Sequence, residues 1–130
     1  MLSLMFVMNI FLSCKGKITD SCATTEKVYT GTLSEVQSDV FNSFCIGCHG
    51  NITSNGGLNL SAGKAYNNLV NIPSTGSTLL RVKPGDTINS YLLRRLNASA
   101  GESPMPPSGK LNQSLINLVE LWVSKGAQNN

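Results

Sequence analysis

Residues 45–49 read Cys-Ile-Gly-Cys-His and gather two of the chain's four cysteines and its only histidine. Thiols and an imidazole packed this closely make a chemical anchor, and any fold must bring the rest of the chain to it. Three chemistries use such a stretch: a metal clip, a redox dithiol, and a covalent attachment point for a cofactor. Each demands different surroundings.

The surroundings are helical segments separated by turn-rich loops. In "LSEVQSDVFNSFC", Ser34 is the expected N-cap, with Glu35 in the first turn. Val36, Val40, Phe41 and Phe44 fall on one face at helical spacing, so this helix delivers the chain into Cys45. A short helix is expected over residues 62–70. Another is expected in "SYLLRRL" after the turn "KPGD", with Tyr91, Leu92 and Leu96 in a stripe. The last, "NQSLINLVELWVSKG", is capped by Asn112 and buries Leu115, Ile116, Val119, Trp122 and Val123 before stopping at Lys125 and Gly126. No strand pattern competes, so the expected fold class is all-α. The loops "GNITSNGGLN", "NIPSTGST" and "SAGESPMPPSGK" are long for a domain of this size, and a covalent cofactor would supply the missing core. A net charge of +3 with scattered basic residues and no aromatic interleaving argues against nucleic acid.

A zinc site needs four ligands, usually from two knuckles, and here there is one knuckle and no second histidine. A thioredoxin-type dithiol follows a strand in a βαβ unit, whereas this one ends a helix. The spacing Cys45-x-x-Cys48-His49 is the attachment signature of c-type haem, with both cysteines forming thioethers and His49 as the proximal iron ligand. With one histidine, two histidine ligands from the same chain are excluded. Met105 is the one methionine outside the first residues, and Pro104, Pro106 and Pro107 stiffen the loop that presents it. It is the expected distal ligand, since thioether ligation is a standard haem arrangement. Among the arginines, Arg81 is favoured as a propionate contact because it lies in a loop. Adjacent Arg94 and Arg95 cannot both face one way and read as a solvated helix face.

The opening run "MLSLMFVMNIFLSC" is too short to span a bilayer and has the length of a signal-peptide core. Residues 1–13 are expected to be a signal peptide, residues 14–33 a tether, and residues 34–127 the haem domain. The ending "FLSC" resembles a lipobox, which implies lipidation at Cys14, with ordinary secretion as the alternative. Cys22 is then the thiol left over.

Residues from about Leu33 to Ala127 resemble a small bacterial monohaem cytochrome c domain. The resemblance rests on the helix before "CIGCH", on "MPP" at Met105–Pro107, on "RVKPGDTINSYLLRRL", and on the last helix with Trp122 and "KGA". It implies a cytochrome c-like helical fold wrapped around one covalent haem c, with the first and last helices crossing where Phe41 or Phe44 meets Trp122. It also implies an acceptor carbonyl near a proline downstream of the histidine. No proline occurs between His49 and Pro73, so that acceptor has no assignment in the sequence.

The expected function is electron transfer by an exported electron carrier rather than an enzyme, in the periplasm or on the outer face of a bacterial membrane. Its partners are redox proteins and, through Cys14, the membrane. The alternatives are a haem peroxidase drawing on Glu102 and Arg95, an electron-transfer subunit of a larger oxidoreductase, and a gas sensor with a displaceable Met105.

Overall fold

The structure, a computed structural model, describes residues 27–130. The expected signal peptide, Cys14 and Cys22 lie outside the described residues. Among the described residues four α-helices appear in chain order: α1 (Leu33–Val36), α2 (Ala65–Leu69), α3 (Tyr91–Asn97) and α4 (Gln113–Ser124). A π-helical segment, Gln37–Cys45, continues α1 without a break. No helix among the described residues is long and apolar enough to cross a membrane. The extended pieces are isolated bridges, such as Val70 with Val82 and Leu80 with Ser90. The helical expectation therefore holds, with short bridged segments between helices.

α1 starts two residues earlier than Ser34 would place it. Thr32 is the N-cap: its hydroxyl accepts from the Glu35 amide at 3.3 Å, and the Glu35 carboxylate accepts from the Thr32 amide at 3.0 Å. This reciprocal capping box satisfies two amides that the helix start would otherwise leave unpaired. The same carboxylate accepts from the amides of Thr30 and Gly31. Residues 30–33, read from the sequence as the end of a tether, are thus bonded into the domain.

After Val36 the helix widens, and its hydrogen bonds run five residues back, as from the Ile46 amide to the Phe41 carbonyl at 3.1 Å. The widening changes which residues share a face. Val36, Val40 and Phe41 are fully buried, and Cys45 packs against the same core. Phe44, expected on that face, is 47% exposed. Ordinary helical spacing would select Phe44; the wider turn selects Cys45 in its place.

α4 follows the sequence closely. The Asn112 side chain accepts from the Leu115 amide at 2.9 Å, and Leu115, Ile116, Val119, Trp122 and Val123 are all buried. α4 packs against both α1 and α3. Phe41 and Trp122, both fully buried, belong to one core cluster, and the indole Nε1 donates to the Gln128 carbonyl at 2.8 Å. The chain ends close this contact. The backbone and side-chain carbonyls of Asn130 accept from the amides of Ser34 and Leu33, and Lys125 Nζ donates to the Thr30 carbonyl. The turn before α3 is docked on α4 by the Gly85 amide, which donates to the Val123 carbonyl at 2.8 Å.

Two predictions follow from this packing. Trp122→Ala removes a fully buried indole, so stability should fall by about 3–5 kcal/mol, read as a lower denaturant midpoint at unchanged slope. Hydrogen bonds from the Thr32 and Thr30 amides hold the Glu35 carboxyl at about 2, below its ordinary 4.5. A depressed folded-state value stabilises above the unfolded value, and that contribution is lost as pH falls from about 4.5 towards about 2. Glu35→Gln should therefore flatten the acid limb of the stability profile in that window, measured by denaturation between about pH 6 and about pH 2.

Candidate functional site

The end of the π-helical segment, the loop behind His49, α3 and the Met105 loop surround one cleft. It encloses about 1080 Å³ of empty space, its open mouth included. Its wall is mostly apolar, with Phe44, Leu58, Leu60, Leu69, Leu92 and Leu96 contributing. Cys45, Cys48, His49, Met105 and Arg81, the residues singled out in the sequence, all lie on this wall. The cysteines are unpaired thiols. Burial pushes the Cys45 thiol up to about 11, so it stays protonated at neutral pH. Among the described residues, no three His, Cys, Asp or Glu side chains are grouped to hold a metal ion by themselves.

His49 is held by a folded-back loop. Its amide donates to the Cys45 carbonyl at 2.8 Å, and its carbonyl accepts from Leu60 at 2.7 Å. Ser54 bridges back to His49, and the Asn55 amide donates to the Cys48 carbonyl at 3.0 Å. The turn Asn55–Gly57 follows, and left-handed backbone at Gly56 and Gly57 (φ 66° and 64°) suits it to two glycines. This path brings the Asn55 carbonyl to 2.9 Å from His49 Nδ1. A carbonyl can only accept, so Nδ1 carries the proton and the neutral ring presents Nε2 as its lone-pair nitrogen. The acceptor missing from the sequence reading is thus a backbone oxygen six residues on, with no proline involved. Its only trace in the sequence is the "NGG" turn.

The opposite wall is tied to α3. The Met105 amide donates to the Arg95 carbonyl at 2.9 Å, and Arg95 Nε donates to the Ser103 carbonyl at 2.6 Å. Arg95 also donates to the Tyr91 hydroxyl at 3.2 Å, and that hydroxyl donates to Glu102 Oε2 at 3.0 Å. Arg95 therefore faces the cleft and holds the methionine loop, a role its pairing with Arg94 in the sequence concealed. Arg94 turns away and donates to the Ile88 carbonyl. Arg81 reaches three carbonyls: Nη1 donates to Asn68 at 2.9 Å, and Nη2 to Gly56 at 3.0 Å and Gly57 at 3.3 Å.

A helical domain with a CxxCH stretch and a methionine loop on one apolar cleft is the architecture of a cytochrome c-like protein. The profile of the family Planctomycete cytochrome C matches residues 45–109, half of the chain, and the chain belongs to that family. No curated protein and no solved structure matches it. Membership implies a covalent haem c and electron transfer, and a domain of this family generally acts as an electron carrier. The residues present fit that cofactor: two unpaired thiols, a histidine whose tautomer frees Nε2, and a thioether share a mostly apolar cleft.

The tyrosine that ties the methionine loop is closely approached from outside. A Cβ at Gly76 would lie 2.8 Å from the Tyr91 hydroxyl. Gly76→Ala should push this ring and loosen Glu102 and Arg95, whereas in a Tyr91→Phe background the clashing atom is gone. The two substitutions should be non-additive by about 1 kcal/mol in a double-mutant denaturation cycle, with Gly76→Ala less costly in the Tyr91→Phe background.

Proposed function

We propose that this chain is an exported monohaem cytochrome that carries single electrons between redox partner proteins. Cys45 and Cys48 are its thioether sites, His49 its proximal ligand through Nε2, and Met105 its distal ligand. The observation that carries this reading is the convergence of the four side chains on one mostly apolar cleft. When bound, the haem supplies a one-electron iron couple, and methionine ligation raises its potential.

The protein's own groups set the conditions for that couple. The Asn55 carbonyl orients the imidazole and, by accepting its proton, increases the electron density at Nε2. The leucines of the wall exclude water. The Arg95–Tyr91–Glu102 network holds the methionine loop, so the thioether is positioned before it binds. These same contacts weigh against peroxidase chemistry, because Arg95 and Glu102 are engaged with the loop rather than free to serve as acid and base. Lipidation at Cys14 after removal of residues 1–13 would hold the domain at the outer face of a bacterial membrane.

Pyridine haemochrome spectroscopy and mass spectrometry on the exported protein test the haem count, the two thioether bonds and the lipid together. The expected result is one haem c with both thiols consumed. Met105→Ala should lower the reduction potential and allow carbon monoxide to bind the ferrous protein. An unchanged potential with no carbon monoxide binding would remove Met105 from the ligand set.

A further inference from the structure

We propose that Arg81 is the positioning residue for His49, clamping the turn whose carbonyl holds the imidazole in its Nδ1–H tautomer. The placement rests on three observations. Arg81 Nη2 donates to the carbonyls of Gly56 and Gly57, the two residues that follow the acceptor Asn55. Its Nη1 donates to the Asn68 carbonyl in α2, which ties the turn to a second element. The arginine's own backbone is fixed on both sides: its amide donates to Ile72 at 2.7 Å, and its carbonyl accepts from Leu92 at 2.9 Å.

The turn needs such a clamp. Gly56 and Gly57 are the residues with the most backbone freedom to lose, and both are exposed. The Thr75 hydroxyl adds a longer contact, 3.4 Å from the Gly56 carbonyl. A planar guanidinium can reach carbonyls on two elements at once from one fixed base, which a lysine ammonium does not reproduce. A long-range arginine clamp thus fixes the acceptor carbonyl in a turn that has no proline.

The chain's single histidine makes the test clean, because 15N-histidine labelling reports His49 alone. The Nδ1 proton should exchange slowly with solvent. Arg81→Lys keeps the charge but loses the fork. It should speed that exchange on the order of tenfold, the loss expected when hydrogen bonds of ordinary strength are removed. It should also raise the reduction potential, because a weaker bond to Asn55 leaves the imidazole a poorer donor. Arg94→Gln, on the other side of α3, should change neither reading.

The contrary outcome is equally definite. If Arg81→Lys matches the wild type in both readings and only Arg81→Gln lowers the potential, Arg81 acts through its charge on a propionate and the positioning role is overturned. Should the variants not fold, the wild-type guanidinium decides: separate, slowly exchanging Nη signals support the clamp, and averaged, rapidly exchanging signals overturn it. The proposal rests on the haem reading only for the potential. A protein without thioether-linked haem would sink that reading, while the histidine and guanidinium measurements would still judge Arg81.

Discussion

The packing of α1 on α4 is the contact on which the rest of this structure depends. It buries Val36 and Trp122 together with Phe41, and the amides of Leu33 and Ser34 reach Asn130 across almost the whole described chain. Between these two helices lie residues 37–112, in which α2 and α3 are short and most of the backbone is turn or loop. Loops have few apolar contacts with which to fix themselves. Their positions must come from a frame, and the α1–α4 contact is that frame. It also aims the π-helical segment, whose last residue is Cys45.

Around the cleft, the second organising device is the backbone carbonyl captured by a side chain. Asn55 accepts from His49, Gly56 and Asn68 accept from Arg81, and Ser103 accepts from Arg95. Long donors suit this task, because one arginine can satisfy carbonyls on two segments that share no secondary structure. The two arginines divide the work by wall. Arg81 secures the histidine side and Arg95 the methionine side, so the two expected ligands are each held by a residue distant in sequence. Both arginines also line the cleft.

The parts of this design that are legible in sequence are those written in side-chain type. The apolar stripe of α4 and its Asn112 cap follow from ordinary helical spacing, and "CIGCH" and the proline-flanked Met105 announce themselves by chemistry. The parts that are not legible have physical reasons. Thr32 rather than Ser34 caps α1 because a capping box needs its acid three residues on, and Glu35 stands at that distance from Thr32. A 3.6-residue period places Phe44 on the core face, but the π-helical register packs Cys45 against the core and leaves Phe44 at the rim. The acceptor for His49 is a carbonyl, which every residue possesses, so residue identity at Asn55 says nothing of it.

The reach of the family match has the same origin. It begins at Cys45 and ends at Gly109, taking in both walls of the cleft and omitting α1 and α4. The walls combine particular residues at particular places: two thiols, an imidazole, a glycine-bearing turn, arginines that reach carbonyls and a methionine between prolines. The flanking helices need only present an apolar face to each other, and many sequences of suitable volume and pattern satisfy that demand. Recognition therefore concentrates where chemistry restricts the choice of residue. The helices outside the match add Val36, Ile116, Val119, Trp122 and Val123 to a core that Leu60, Leu69, Val82, Leu93 and Leu96 supply from within it.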